Sequence, residues 1–251
     1  MQNIRPNQAS PLPPEDSGVV LREERTGDVI SVMYEMHNVS EATVTINGDL
    51  HNTHSSVHFP CTVPISQRRG VVAVFTRKDA TLPWQDVWQS HWKIGQRVWK
   101  KPEPYLYSLP FQGKFPVIQG PFGTYSHEPR SQDEEAFDFG MPVGTPIHAA
   151  RGGTVIAFRS DVDGGGADLQ WQQRSNYIII KHDDGTYAEY EHLRHEGVLV
   201  RLGDTVTEGQ VIGFSGATGH AAGPHLHFDV FHTLNGYTRE TLPITFRVDP
   251  Y

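Results

Sequence analysis

Pro224-His225-Leu226-His227-Phe228 decides how the second half of this chain is read. Polar and apolar residues alternate here with the period of a β-strand, whose successive side chains point to opposite faces. Such a strand places His225 and His227 on one face, and Leu226 and Phe228 on the other, toward a core. Two neighbouring imidazoles on one face are able to share a metal ion and its water. The pair by itself equally describes an accidental surface couple, so the flanking sequence has to decide.

That flanking sequence reads as strands. Residues 145–150, 153–158, 176–181, 186–190 and 210–214 are short apolar or β-branched runs. Asp183-Asp184-Gly185 between two of them is a strong hairpin signal. Gly164-Gly165-Gly166 lies in a loop of about 15 residues, long enough to be functional. No Gly-Lys-Ser/Thr follows it, so it is not a phosphate loop. The first half has the same character. Residues 29–36, 42–46 and 71–75 read as strands, and 84–95 as strand rather than helix. Strands every 8–12 residues predict a small sandwich.

The expected fold class is therefore all-β, in three parts. Residues 1–18, rich in Pro, Asn, Gln and Ser, form a flexible lead-in. Residues 19–110 form a β-sandwich, closed by the linker-like Lys100-Lys101-Pro102-Glu103-Pro104. Residues 111–251 form a compact antiparallel β domain.

Composition narrows the function. The chain has 251 residues, with 21 Lys+Arg against 29 Asp+Glu and a net charge of −8. An acidic protein lacks the basic face that nucleic-acid binding requires. No apolar run reaches the ~18–20 residues of a membrane helix, so an integral membrane protein is not expected. The N-terminus, Met1-Gln2-Asn3-Ile4-Arg5-Pro6, lacks the apolar core of a signal peptide. The lone Cys61 has no partner for a disulfide or a thiolate metal site.

Fourteen histidines are a large share for this length. His192, in Tyr190-Glu191-His192-Leu193, ends a strand and by alternation shares a face with Tyr190. Asp138 stands between Phe137 and Phe139, where a carboxylate is costly to bury unless it meets a cation or strong donors. His127 lies upstream, in Gly123-Thr124-Tyr125-Ser126-His127.

Further elements recur in order: Gly144-Thr145-Pro146, Gly153-Thr154-Val155, Gly203-Asp204-Thr205-Val206, Gly209-Gln210-Val211-Ile212-Gly213 and Ser215-Gly216-Ala217-Thr218-Gly219. With Asp138-Phe139, Tyr190–Leu193 and Gly223–Phe228, the series resembles the lysostaphin/LytM-type zinc endopeptidases of peptidoglycan, whose fold is a duplicated hybrid motif. The resemblance covers about residues 115–235. It implies one Zn²⁺ held by His127, Asp138 and His227, with a fourth position left for water. The charges of zinc and one carboxylate leave +1, which acidifies that water toward a pKa of about 7. It implies catalytic roles for His192 and His225, one taking a proton from the water and the other steadying the oxyanion or protonating the leaving amine. The implied substrate is the stem peptide or cross-bridge of bacterial cell wall, which requires an extracytoplasmic (periplasmic or secreted) location.

One departure stands out. Many relatives carry the first ligand four residues before the Asp, and here that position is Glu134. Another branch has a longer Ser-His insertion, which Tyr125-Ser126-His127 resembles. Both His127 and Glu134 are therefore considered, with imidazole the better partner for zinc. Tyr125, as an oxyanion donor at the cleft rim or a packing residue, and His220, as a groove residue, are considered; Trp84, Trp88, Trp92 and Trp99 are read as packing residues in preference to sugar-binding ones. His148 is expected to point outward, while His51, His54, His58, His182 and His195 are read as loop or turn residues.

Three other functions compete. A non-catalytic relative that activates wall amidases differs in having lost its ligands. A lipoyl-type carrier would need a modifiable Lys at a hairpin tip near Gly203-Asp204, and none is there. A serine hydrolase needs the Gly-x-Ser-x-Gly frame that Ser215 lacks. The thermolysin motif His-Glu-x-x-His is absent.

Overall fold

A computed structural model describes residues 18–49, 51–82, 87–98 and 102–247. Trp84, Trp99, Lys100, Lys101 and most of the expected lead-in lie outside them. The chain divides into two compact units. The first ends at Arg97 and takes in Asn235–Thr238; the second runs Val98–Leu234 and resumes at Arg239.

The first unit has seven strands: β1 (Gly18–Thr26), β2 (Val29–His37), β3 (Ala42–Asp49), β4 (Thr53–Ser55), β5 (Cys61–Ile65), β6 (Arg69–Arg77) and β7 (Val87–Ile94). They form two antiparallel sheets, ordered β1-β2-β6-β4 and β5-β3-β7. In β2 the period-2 pattern puts Ile30, Val32, Tyr34 and Met36 inside. Phe75 of β6 and Trp88 of β7 have ring centroids 6.3 Å apart, which brings the two sheets face to face.

The second unit holds β8 (Leu106–Tyr107), β9 (Val117–Gln119), β10 (Phe137–Gly140), β11 (Pro146–His148), β12 (Gly153–Arg159), β13 (Asn176–Lys181), β14 (Tyr187–Val198), β15 (Thr205–Val206), β16 (Val211–Ser215), β17 (His225–Thr233), β18 (Arg239–Thr241) and β19 (Thr245–Phe246). The main antiparallel path is β15-β12-β13-β14-β17-β10-β9. Its core packs Phe139, Ile147, Val155, Ile178, Ile180, Tyr190, Leu193, Leu226 and Phe228.

The boundary differs from expectation. Among the described residues, Val98 and 102–110 fall in the second unit, not in the N-terminal one. β8 pairs in parallel with β19, and Tyr107 is buried in the same core as Phe139 and Tyr190. Two-residue strands carry too little periodicity to be read from sequence, and this one moved the boundary.

His148 also departs from expectation. It is buried, and its Nδ1–H donates to the Gly209 carbonyl at 2.8 Å. The β11–β16 register shifts between Ile147 and His148, so simple alternation fails there.

His182 is nearly fully buried against the Tyr107 ring, with Nδ1–H donating to the Gly152 carbonyl at 2.9 Å. Burial pushes its pKa down to about 4. The unfolded chain takes up that proton near pH 6.5 and the folded chain only near pH 4, so unfolding binds a proton between the two. Stability attributable to His182 therefore falls as pH drops through that window, by about 3 kcal/mol in total. Comparing urea unfolding at pH 7 and pH 4.5 checks this: His182→Asn, whose amide is able to replace the Nδ1 donor, lessens the acid loss. An equal acid loss in both proteins would refute it.

Candidate metal centre

The site is assembled on one face of the sheet around β17. Leu226, Phe228 and Val230 turn into the core, which leaves His225, His227 and Asp229 on the opposite face. Asp138 on β10 is directly opposite His227. Glu191 on β14 flanks His227 from the other side, and Glu189 flanks Asp229. Gln119 on β9 is opposite Asp138. Strand register thus gathers residues separated by as much as a hundred positions into one row.

His127, Asp138 and His227 offer ligand atoms that all lie within 4.8 Å of one another, and all three residues are buried. His127 is fully enclosed; its Nδ1 contacts the Gly120 carbonyl at 3.1 Å, where it must donate. In the neutral ring the lone pair is then on Nε2. That atom is buried, has no hydrogen-bond partner, and lies 3.5 Å from Asp138 Oδ2. His227 Nδ1 is 2.9 Å from Asp138 Oδ1, and its Nε2 is 3.3 Å from Asp229 Oδ2. Asp138 Oδ2 also accepts from Gln119 Nε2 at 2.8 Å. Burial opposes ionisation of Asp138, but positive charge beside it, on the His127 and His227 imidazoles, holds its carboxyl well below the usual range.

This donor set fits a divalent cation. A neutral His127 would aim an imidazole lone pair at a carboxylate in a buried space, which is repulsive without a positive charge between them. Two imidazole nitrogens and one carboxylate oxygen are also a donor set suited to zinc.

The other two histidines converge on the same place. The His192 and His225 rings are 4.5 Å apart, and His192 and His227 are 6.0 Å apart. His225 Nε2 is 3.8 Å from Asp138 Oδ1. His192 reaches the site by an irregularity rather than by alternation. Tyr190 faces the core against Phe228 and accepts from the Ala150 N–H at 2.8 Å. The expectation that His192 shares its face is therefore corrected. The β13–β14 register shifts at this point, and His192 adopts φ +62°, which swings its ring to the outer face. A non-glycine residue in the left-handed region is strained, and such strain concentrates at functional positions.

Both rings are pinned through Nδ1. His192 donates to the Thr218 carbonyl at 2.9 Å and His225 to the Gly223 carbonyl at 2.8 Å. Nε2 is then the basic nitrogen of each. Burial, reinforced by the neighbouring imidazoles, pushes His192 down to about 4, so it is neutral at pH 7. The 164–168 and 216–221 loops are joined beside this pair. Gly219 N–H donates to Gly164 O and Gly166 N–H to Gly219 O, each at 3.0 Å. A Cβ on Gly165 would sit 2.1 Å from the Ala217 carbonyl, so glycine is required there.

Other considered residues take different places. Glu134 is half-buried, and its carboxylate accepts from the Arg130 N–H at 2.6 Å instead of joining the cluster. Tyr125 is 87% exposed. His220 donates through Nε2 to the Ala167 carbonyl and so helps tie the two loops together. Sequence reasoning missed Gln119, Asp229 and Arg239. Asp229 had a readable signal, because it stands two residues beyond His227 on the same strand face. Gln119 and Arg239 had none.

Residues 132–239 match the family model described as peptidase family M23. This segment is an M23 peptidase domain. An uncharacterized metalloprotease of Buchnera aphidicola subsp. Baizongia pistaciae is 32% identical over 131 residues, 51% of this chain and 31% of that protein. Peptidoglycan DD-endopeptidase ShyA of Vibrio cholerae serotype O1 is 38% identical over 93 residues, 37% of this chain and 19% of its own. Lysostaphin of Staphylococcus staphylolyticus is 35% identical over 105 residues, 41% of this chain and 19% of its own. The chain thus spans less than a third of the length of each of these relatives. Four of the five clustered residues lie inside the matched M23 segment, and His127 lies just before it.

Proposed function

We propose that this chain is a zinc-dependent endopeptidase of bacterial peptidoglycan. In this reading His127, Asp138 and His227 hold one zinc ion, and His192 and His225 manage protons. The observation that carries it is the buried, unpartnered His127 Nε2 facing Asp138 within reach of His227. The peptidoglycan endopeptidase activity named for the Vibrio cholerae relative supports the substrate class.

When bound, zinc supplies a Lewis acid that polarises the scissile carbonyl and makes water nucleophilic at neutral pH. The protein contributes fixed proton acceptors. Thr218 and Gly223 carbonyls hold His192 and His225 in the tautomer whose Nε2 carries the lone pair. A neutral His192 takes a proton from water at that nitrogen. The imidazolium so formed is then a donor, able to steady a developing oxyanion or protonate the leaving amine, with His225 4.5 Å away sharing the work. Such a substrate places the protein outside the cytoplasm. Among the described residues no helix is long and apolar enough to cross a membrane.

Elemental analysis combined with mass spectrometry of digested wall tests this reading. One zinc per chain and newly cut stem or cross-bridge peptides are expected. A chelator should abolish cleavage, and added Zn²⁺ should restore it. Folded protein with neither metal nor cleavage would overturn the proposal and favour an amidase-activating scaffold.

A further inference from the structure

We propose that Arg239, acting through Asp229, is a positioning residue that fixes His227 in the tautomer and orientation needed to bind metal. The inference rests on the zinc reading above and assigns work to two residues outside the ligand set.

The geometry is a relay of charged groups. Arg239 opens β18, and its guanidinium passes over the Phe231 ring, 4.6 Å from the centroid. One nitrogen bonds the Glu189 carboxylate. Another donates to Asp133 Oδ1 at 2.7 Å and to Asp229 Oδ2 at 3.0 Å. The same Asp229 oxygen faces His227 Nε2 at 3.3 Å. Asp229 is completely buried, and its other oxygen has no partner. A carboxylate so enclosed is stable only with a cation beside it, and Arg239 is that cation.

The consequence falls on His227. Both ring nitrogens of His227 face carboxylates, Nδ1 toward Asp138 at 2.9 Å and Nε2 toward Asp229 at 3.3 Å. A carboxylate accepts and never donates, so once Nδ1 gives its lone pair to a metal shared with Asp138, the one ring proton has to sit on Nε2, where Asp229 receives it. This is the support by which an acidic partner fixes the tautomer of a metal-binding imidazole. Arginine suits the task because its planar fork serves three carboxylates at once, whereas a lysine ammonium is a single point charge.

The test measures zinc affinity by chelator competition and the His227 ring by ¹⁵N NMR of histidine-labelled protein, with the signal assigned by its loss in His227→Gln. Asp229→Asn is expected to weaken zinc binding by about 10–100-fold. Arg239→Lys should move affinity in the same direction. In zinc-loaded wild type, Nε2 should carry the proton and Nδ1 the metal. Wild-type affinity in both variants overturns the inference. So does metal on Nε2 of His227 in the wild type, a result that counts even if a variant fails to fold. A wild-type protein that binds no zinc at all instead overturns the proposed function, which keeps the two failures distinct.

Discussion

His227→Ala should abolish zinc binding and wall hydrolysis together. In the proposed reading two ligands would remain, His127 and Asp138, and catalytic zinc ordinarily requires three from the protein. Losing the Lewis acid removes several kcal/mol of transition-state stabilisation, a fall in rate on the order of 10³-fold or more. The fold should persist, because Leu226 and Phe228 on the opposite face of β17 carry the core contacts. Asp229 would lose one partner but keep Arg239. The informative comparison is with metal-free wild type. Zinc at 100 times its Kd stabilises a native state by about 2.7 kcal/mol, so thermal unfolding with and without zinc should differ for wild type and coincide for the variant. A variant that keeps one zinc per chain and still cuts peptides would remove His227 from the ligand set.

The reach of the sequence is visible in that same strand. His225 and His227 could be assigned to one face because β17 is regular, and period 2 holds from His225 through Val230. Asp138 was legible through cost, as a carboxylate between two phenylalanines needs compensation. His192 was placed by the family motif, while the geometric reason read for it was wrong. A bulge is a property of two strands in register, and no local pattern around Tyr190-Glu191-His192 announces it. Arg239 fails to stand out for a related reason: a surface arginine and a half-buried one look alike until three carboxylates are brought around it. The unit boundary shifted because β8 and β19 pair across some 140 residues with two residues each. Regular strands and costly residues can be read locally, whereas irregular register and long-range charge cannot.

His192→Asn should separate chemistry from metal binding. His192 belongs to neither group of residues whose atoms could share a metal ion, so zinc content and affinity should match wild type. Removing a proton acceptor from the reacting centre costs typically 10²–10⁴-fold in rate. Asparagine is chosen because φ is +62° at this position, a region it tolerates better than most residues do. Left-handed backbone at a non-glycine residue costs of order 1–3 kcal/mol, and the substitution should recover part of that. The Nδ1–H bond to the Thr218 carbonyl offsets some of the gain unless the amide replaces it. The expected signature is therefore a severe loss of turnover with zinc unchanged and stability equal or higher. That combination would mean that the backbone strain at His192 is maintained for the reaction rather than for the fold. Measuring kcat, metal stoichiometry and the unfolding midpoint on one preparation decides it: turnover near wild type, or zinc lost along with activity, would remove His192 from the proton-transfer role.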